Sequence, residues 1–442
     1  MTRDHRLLHR RVAMAALAAC CGTAQAFTFE AGDVRGNFDS TLTLSAGMRL
    51  KNPSCSLVGD LTYCDAADVF RWGSGDDGNL NYRRHDIFTT YLKGNHELLL
   101  NFPDNWKFLG RVNWLYDFKA DDTARTPLSS EAEGEVVRDV RLLDLWVGKT
   151  MQMADGRRAN VRLGNQFLNW GESLFLPGGI NSTNAIDIQR LSQPGVQIKE
   201  AFLPAPMINA SAALGNGVSA EAYYQFHWNR TKFPPVGGYW SVVDLYDKGR
   251  QPIYLGPDPA SAAAMGEPEF PSIGWAPDVK PRNSGQWGVA LRWEPKGTSA
   301  NFGLYALNYH DKTPNLQFIN GQSEAQWTFL EDRKLFGASV SFPVGNWAIG
   351  AELSYRPKDA IALSGCYDPA MAGDNVAGLA PAAACNQYVD GKRWQMHVTG
   401  LLSLTPGDHG ALLKLLGADT ATLLAEAVVI RYPDLKSVYY RN

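Results

Sequence analysis

The chain has 442 residues, of which 45% are hydrophobic and 20% are charged, and its formal net charge is -3. This length suffices for one large barrel or for two to three soluble domains. No stretch approaches the roughly 20 consecutive apolar residues that a membrane-spanning helix needs, which excludes a helical inner-membrane transporter.

The start of the chain has the features of a secretory signal peptide. Four arginines precede a short apolar run over 12–19, and Ala-Gln-Ala over 24–26 is a cleavage site, so the mature chain is predicted to start at Phe27. An alternative is a lipoprotein box ending in Cys20, which would leave an acylated cysteine. Removing residues 1–26 takes away four Arg and one Asp, which leaves a net charge of -6. An acidic, exported chain argues against a nucleic-acid partner.

Beyond the signal, apolar and polar residues alternate with a period of two, which is typical of β-strands. In the segment 286–294, for example, Trp287, Val289, Leu291 and Trp293 share one face and polar residues take the other. Such segments are about ten residues long, as in transmembrane β-strands. The predicted strands are 40–50, 87–102, 106–118, 139–151, 158–168, 207–214, 218–229, 286–294, 300–310, 329–342, 347–356, 392–404 and 420–432.

Two features favour a membrane barrel over a soluble β-sandwich. The apolar faces often begin and end in Trp, Tyr or Phe, as the aromatic girdles of a barrel do. The links between predicted strands also alternate between long and short, and the one exception is 405–419, which is longer than this alternation predicts. Outer-membrane barrels show the same alternation, because their periplasmic turns are short and their external loops are long. The sequence therefore predicts an all-β fold, an antiparallel transmembrane β-barrel over 27–442 in a Gram-negative outer membrane.

The number of predicted strands is odd, whereas single-chain bacterial barrels have an even number. The chain also lacks a final strand that ends in an aromatic residue before Asn442. These features predict that the barrel is truncated at its C-terminus and that its closing strands are missing. The alternative is a miscounted strand, and 139–151 and 207–214 are the least clear.

Four cysteines remain after the predicted cleavage, and they form two local pairs. One pair lies in each of the long links 51–86 and 357–391, which the alternation of link lengths assigns to the external side. We predict that Cys55 bonds to Cys64 and that Cys366 bonds to Cys385, because an even number of cysteines in an oxidising compartment indicates disulfides. No pair has C-x-x-C spacing and no histidine lies beside one, so neither a metal nor another cofactor is predicted.

The link 169–206 carries an unusual run, Asn-Trp-Gly-Glu-Ser-Leu-Phe-Leu-Pro-Gly-Gly-Ile-Asn-Ser, over 169–182. With the opening Phe-Thr-Phe-Glu over 27–30 and Gly-Ala-Glu-Leu-Ser-Tyr-Arg-Pro over 350–357, it resembles the Gram-negative outer-membrane family catalogued as domain of unknown function 1302. The resemblance covers most of residues 27–432. It implies a barrel that works with a periplasmic lipoprotein and an inner-membrane transporter of the resistance-nodulation-division (RND) type.

The family resemblance further implies movement of hydrophobic compounds such as sterols, alkanes or related lipids. No catalytic residues are established for the family, so none is carried over to this sequence.

The amino acids of 169–206 also predict where this link lies. It has too many large apolar residues to extend into water, so we predict an inserted plug or constriction in the barrel lumen. The alternative is a loop that packs only against other external loops. Ser182 is the predicted cap of a short helix over 183–191. The predicted constriction and lumen residues are Trp170, Glu172, Phe175, Ile180, Asn181, Asp187, Lys199, Arg162, Glu221, Arg292, Glu352 and Arg356.

Sequence motifs for catalysis are missing. His96 and Glu97 are not followed by the second histidine of H-E-x-x-H, and Ser173 lacks the frame of G-x-S-x-G. The sequence predicts a conduit for a small hydrophobic solute that is not an enzyme. The alternatives are a porin for polar solutes, a surface adhesion protein, and a barrel enzyme acting on lipids, which would require a serine and a histidine to converge.

Overall fold

In this computed structural model, residues 22–58, 76–367, 376–377 and 384–435 are described. Within them, long antiparallel strands dominate. The strands are β1 (Gly22–Ala31), β2 (Val34–Met48), β3 (Ile87–Phe102), β4 (Trp106–Asp117), β5 (Arg138–Gln152), β6 (Arg158–Gln166), β7 (Ala185–Ile186), β8 (Phe202–Leu203), β9 (Ala205–Gly215), β10 (Val218–Gln225), β11 (Ile253–Tyr254), β12 (Ser272–Trp275), β13 (Gln286–Trp293), β14 (Asn301–Tyr309), β15 (Asn315–Ile319), β16 (Glu324–Thr328), β17 (Arg333–Val344), β18 (Trp347–Tyr367), β19 (Val376–Ala377), β20 (Ala384–Leu404) and β21 (Ala421–Arg431).

The helices are short and lie in the links between strands. They are α1 (Cys55–Val58), α2 (Asp77–Leu80), α3 (Ser130–Val136), α4 (Ile188–Leu191), α5 (Ile198–Ala201), α6 (Pro259–Met265) and α7 (Pro406–Leu416). Among the residues described, none of these helices has the length and apolar character needed to cross a membrane.

The chain divides into two compact units. The first consists of residues 1–145, 186–203 and 231–276. In it, β1 pairs with β2, β2 with β3 and β3 with β4, all antiparallel. The β2–β3 ladder runs from Arg35 opposite Asn101 to Met48 opposite Ile87. Neighbours in sequence are therefore neighbours in the sheet, as in a β-meander.

The second unit consists of residues 146–185, 204–230 and 277–442. Its long strands pair antiparallel in the order β6, β9, β10, β13, β14, β17, β18, β20 and β21. A tight turn at Asn216 and Gly217 joins β9 to β10, and both residues have positive φ (+52° and +77°). A β-carbon on Gly217 would lie 2.0 Å from the carbonyl oxygen of Glu294, so this turn requires glycine.

The strands expose their apolar residues and bury their polar ones. On β13, Trp287, Leu291 and Trp293 are 42%, 50% and 48% exposed, whereas Gln286 is fully buried. A protein folded in water shows the opposite pattern, and a sheet that faces lipid shows this one. The predicted fold class is confirmed in its all-β, antiparallel character and its outward apolar faces. We call the opposite side of the strands the polar face.

Most predicted strands match the structure closely, and the differences have local causes. The predicted strands 347–356 and 392–404 extend into β18 and β20, so the link between them is shorter than predicted, and Cys366 and Cys385 lie within strands. A register shift after Arg356 interrupts the alternation at that point, which conceals the extension. The link 405–419 contains α7.

The strand β1 was not predicted, and it forms a hairpin with β2. It spans the predicted cleavage site after Ala26, and adding it makes the set of predicted strands even. The odd count therefore no longer supports missing strands, and the truncation stays a prediction.

Three predictions fall wholly or partly outside the described residues. Residues 1–21 hold most of the predicted signal peptide. Cys55 and Cys385 are disulfide-bonded, but Cys64 and the side chain of Cys366 are not described. The two cysteine pairings and the cleavage site stay predictions.

Candidate functional site

The link between β6 and β9 contains the predicted constriction. Residues 169–185 belong to the second unit and residues 186–203 to the first. Each part is held by side chains from the polar face of strands in its own unit.

The carboxylate of Glu352 on β18 holds both ends of the loop 172–180. It accepts hydrogen bonds from the backbone N–H groups of Glu172 (2.6 Å), Ser173 (3.3 Å) and Ile180 (2.9 Å). Glu352 is 2% exposed. Hydrogen bonds to an ionised carboxylate are stronger than neutral ones, and in a buried place water does not replace them. One side chain therefore closes the loop into a compact turn.

Two glycines make this closure possible. A β-carbon on Gly179 would lie 1.9 Å from Oε1 of Glu352, and one on Gly171 would lie 2.3 Å from Oε2. Gly171 also has a φ of +83°, which residues with a side chain rarely adopt. The glycines of the Trp-Gly-Glu-Ser and Gly-Gly-Ile-Asn sequences are therefore needed for the approach of one carboxylate.

A second carboxylate holds the tip of the loop. Glu426 on β21 accepts hydrogen bonds from the N–H groups of Leu174 (3.2 Å), Phe175 (2.7 Å) and Leu176 (2.9 Å). Its Oε1 also lies 2.8 Å from Nδ1 of His397, which is fully buried on β20. Consecutive N–H groups that converge on one anion form a nest, and here the anion belongs to the protein itself.

The carbonyl groups of the loop are bound by donors from the same strands. The Nη2 of Arg356 donates to the carbonyl oxygen of Gly178, and its Nε donates to the hydroxyl of Tyr309 at 2.9 Å. The Nε2 of Gln395 donates to the carbonyl oxygen of Pro177 at 3.0 Å. Donors and acceptors of the loop backbone are thus both satisfied by the polar face.

Of the three apolar residues predicted to form the constriction, two are buried and one is exposed. Trp170 (2% exposed) and Ile180 (fully buried) belong to a cluster of buried apolar side chains in the second unit, on the side of the strands that is otherwise polar. The Trp170 ring centroid lies 5.2 Å from that of Tyr223 and 5.8 Å from that of Tyr305. Phe175, by contrast, is 51% exposed at the tip.

The side chain of Glu172 turns away from the loop towards β17. It accepts hydrogen bonds from Ser341 and Ser339. Burial raises the pKa of the Glu172 carboxyl, and the nearby charge of Glu352 raises it further. Asn181 is half-buried, and its carbonyl oxygen accepts a hydrogen bond from the N–H of Asn184.

The second part of the link is anchored in the first unit by a buried ion pair. The Nζ of Lys93 lies 2.7 Å from Oε2 of Glu200, and both side chains are 2% exposed. Lys93 also donates to the carbonyl oxygen of Gly195 (3.2 Å), and Asn113 donates to Glu200 (3.3 Å). Removing one partner of a buried pair leaves an uncompensated charge, so the loss of either side chain is strongly destabilising here.

Asp187 is fully buried and organises the start of α4. Its carboxylate accepts from the N–H of Arg190 at 2.7 Å, which caps the helix, and from the guanidinium of Arg141. Arg190 in turn lies 2.8 Å from Asp139. The predicted cap by Ser182 is wrong: α4 starts at Ile188, after Asp187.

The remaining predicted residues pair with groups of their own unit. Lys199 lies 3.8 Å from Glu97 within the first unit. In the second unit, Glu221 binds Arg292 at 2.7 Å and accepts from Asn209 at 2.8 Å. Arg162 lies 3.4 Å from the amide oxygen of the same asparagine.

Several of the anchoring side chains were not predicted from the sequence, namely Glu426, Gln395, Arg141, Arg190 and Glu200. Glu426 was hard to predict because both faces of β21 are mostly apolar, so the alternation of apolar and polar residues does not identify a polar face in this strand. A lone glutamate in an apolar strand was the available clue, since such a charge requires partners.

One serine and one histidine do converge, on the apolar face of the first unit. The Oγ of Ser40 lies 2.9 Å from Nδ1 of His96, and the indole N–H of Trp114 donates to Nε2 of His96 at 2.9 Å. Because an indole only donates, Nε2 is the acceptor and Nδ1 carries the proton. This tautomer donates to the serine hydroxyl and does not serve as its base. No group of three or more metal-ligating residues occurs in the described chain.

The family model for "Protein of unknown function (DUF1302)" matches residues 7–442. No curated protein matches the chain. Among solved structures, the chain is similar to OmpF of Salmonella typhi in a complex with daunomycin (8% identity, 85% of this chain and 76% of that chain, TM-score 0.37). It is also similar to the outer-membrane channel DcaP of Acinetobacter baumannii (11%, 94% and 88%, 0.31). TM-scores of this size do not establish a shared fold, so the fold class rests on strand pairing and burial.

Proposed function

Because the chain belongs to the DUF1302 family, we propose that it is an outer-membrane conduit for a small, hydrophobic solute. One observation carries the proposal. The loop 172–180 is anchored to the polar face by two carboxylates, yet its tip presents Phe175 and Leu176, which are 51% and 43% exposed. Apolar side chains held in water by a fixed backbone are typical of a binding or guiding surface.

In this proposal, the polar face lines the lumen and the link 169–206 narrows it. The rigid attachment matters because a solute that slides over a fixed surface does not have to order a mobile loop first. Trp170 and Ile180 secure the loop to the wall, whereas Phe175 and Leu176 meet the solute.

The finer parts of the proposal rest on the family resemblance or on the sequence. We propose a periplasmic lipoprotein and an RND-type transporter as partners, cleavage after Ala26, and disulfides Cys55–Cys64 and Cys366–Cys385. Affinity purification from envelopes, with mass spectrometry of the partners, of the mature N-terminus and of the disulfide-linked peptides, tests these assignments together.

A porin for polar solutes is the second candidate, and the ion pairs of the polar face favour it. Arg111 lies 2.7 Å from Glu97 and 2.8 Å from Asp144. A lumen lined by paired charges of both signs also suits hydrated solutes without a strong preference for either charge. The two candidates differ in what the loop tip does.

Substitution of the tip separates the two functions. We would reconstitute the full chain and the double variant Phe175→Ser/Leu176→Ser into vesicles with an outer lipopolysaccharide leaflet. Entry of the apolar dye N-phenylnaphthylamine and swelling driven by arabinose are then compared. A conduit for hydrophobic solutes loses dye entry and keeps its swelling rate.

Val242→Ser is the matched control, because Val242 is an exposed apolar residue (76%) outside the link. Equal dye entry for all three proteins would overturn the hydrophobic-solute proposal. A swelling rate that rises in the tip variant while dye entry stays constant would favour the porin.

A further inference from the structure

One end of the first unit carries a group of exposed basic side chains, which we call the basic rim. It consists of Lys51, which follows β2, and of Arg83 and Arg84, which precede β3. These segments meet where the β2–β3 ladder ends, at the pair of Met48 and Ile87. The group is unusual in this protein, because the chain as a whole carries a net negative charge.

The basic rim lies on the side of the long links. On this side β2 leads into the link 49–86 and β4 leads into the link 118–137. The other ends of the same strands meet at the short turns 32–33 and 103–105. Because the long links of an outer-membrane barrel are external and its short turns are periplasmic, the basic rim lies at the level of the outer leaflet.

The backbone that carries the basic rim is fixed. The N–H of Arg49 donates to the carbonyl oxygen of Asp86 (2.9 Å), and the N–H of His85 donates to that of Arg49 (2.6 Å), so the ladder continues beyond its last pair. The buried Arg49 side chain donates from Nε to the carbonyl oxygen of Lys51 at 2.9 Å. The carboxylate of Asp86 accepts from the backbone N–H of Arg83 at 2.7 Å. The positions of the three cations are therefore set before a ligand arrives, which lowers the entropic cost of binding.

The charged groups of the basic rim are free to bind a ligand. In the part of the chain that the structure describes, none of the three has an ion pair or a side-chain hydrogen bond. Other basic residues of this unit differ in this respect, since Lys93 pairs with Glu200 and Arg111 pairs with Glu97. Neighbouring like charges repel one another, so an anion that binds between them is stabilised.

An apolar surface begins directly beside the basic rim. Met48, Leu50 and Ile87 are all exposed. Met48 and Ile87 are paired across the ladder and Leu50 is two residues beyond Met48, so the three side chains share the outward face. The same face of β2 continues along the strand with the exposed Leu44. Cations next to exposed apolar side chains suit a lipid with an anionic headgroup.

We propose that the basic rim and the apolar surface beside it bind lipopolysaccharide through its lipid A. The basic rim holds the lipid A phosphates, and the acyl chains cover Met48, Leu50 and Ile87. Arginine suits this role because its planar guanidinium bonds to phosphate with two parallel N–H groups. A phospholipid with one phosphate would use only part of the basic rim. The proposal concerns the lipid around the barrel and goes beyond the proposed function, so it holds for a conduit and for a porin alike.

Titration of the detergent-solubilised full chain with lipid A, followed by native mass spectrometry, tests the proposal because this method counts the lipids bound to each chain. Lipid A with both phosphates is compared with lipid A from which both have been removed. The variant Arg83→Gln/Arg84→Gln should bind the phosphorylated form about 30-fold more weakly, since each Lys or Arg near an anionic lipid surface contributes about a factor of five. It should bind the phosphate-free form as the unmodified chain does, which also shows that the variant is folded.

Lys107→Gln/Arg158→Gln is the matched control, because it removes the same charge from two exposed residues beside short turns. It should keep the affinity of the unmodified chain for both forms. Leu50→Asn should weaken both forms by the same factor, because it acts on the acyl chains.

Three results would overturn the proposal. One is an affinity for phosphorylated lipid A that is unchanged in Arg83→Gln/Arg84→Gln or that falls equally in the control. Another is displacement of lipid A by millimolar inorganic phosphate, which would assign the basic rim to a free anion. The third is phosphatidylglycerol binding as tightly as lipid A, which would make the site one for any anionic lipid.

Discussion

Removing the carboxylate of Glu352 should release part of the loop 172–180 without unfolding the strands. The variant Glu352→Ala deprives Glu172, Ser173 and Ile180 of their N–H acceptor. Each hydrogen bond to a charged group makes a net contribution of about 1.5–3 kcal/mol, but the three bonds share one acceptor, so their losses do not add in full. A net change of about 3 kcal/mol is a conservative value, and it corresponds to an increase in local opening on the order of 100-fold.

Hydrogen exchange on the detergent-solubilised protein measures this opening amide by amide. The amides of 172, 173 and 180 should exchange on the order of 100-fold faster, whereas those of Leu174 to Leu176 should change less because Glu426 still holds them. Glu294→Ala, which removes an exposed glutamate near a turn, serves as the control. If the three amides exchange at wild-type rates in Glu352→Ala, the anchoring role of this carboxylate is wrong.

Three further predictions concern other anchors of the structure. Gly179→Ala should increase exchange at the same amides because its β-carbon meets Glu352, whereas Gly134→Ala, which has open space, should not; equal exchange would contradict the close-approach argument. Lys93→Met should destabilise the first unit by about 3–5 kcal/mol because Glu200 is left buried and unpaired, and adding Glu200→Met should recover most of the loss in thermal unfolding; an additive double variant would count against the pair. Burial raises the pKa of the Asp244 carboxyl from 3.8 to about 9, so the closed state, in which this carboxyl meets the Asp77 N–H, binds a proton that the open state releases. The stability of the closed state is therefore highest at low pH and falls as the pH rises from about 4 to about 9. The protection factor of the Asp77 amide should fall by up to about tenfold per pH unit in this range. Asp244→Asn keeps the acceptor and should flatten this profile; a wild-type profile that is already flat would refute the assignment.

Strand positions were predictable because lipid and polar surroundings select residues on alternate sides of a strand. The predicted segment 87–102 coincides with β3 for this reason. The extension of β18 to Tyr367 was not predictable, because the register shift after Arg356 breaks the alternation. The strand β1 was missed because its first residues have the composition of a cleavage site.

The location of the candidate site was predictable, but its bonding was not. The glycines and apolar residues of 169–182 indicate a bent segment that packs on a wall, and Trp170 and Ile180 do so. The pairing of charged side chains depends on distances between strands that lie far apart in the sequence. The periodicity of the sequence carries no information on these distances. Asp187 therefore bonds to Arg141, and neither the partner nor the helix cap could be derived from spacing.

Glu352 and Glu426 grip the loop only through main-chain N–H groups, which every residue except proline possesses. Attachment is thus independent of the side chains at 174, 175 and 176. The side chains at those three positions can therefore be replaced without loss of the hydrogen bonds that hold the backbone. In the proposed conduit, substitutions at these three positions would change which molecules pass, while the two carboxylates and the two glycines that hold the backbone stay intact. The same scaffold would then be re-engineered for a different solute at three adjacent codons.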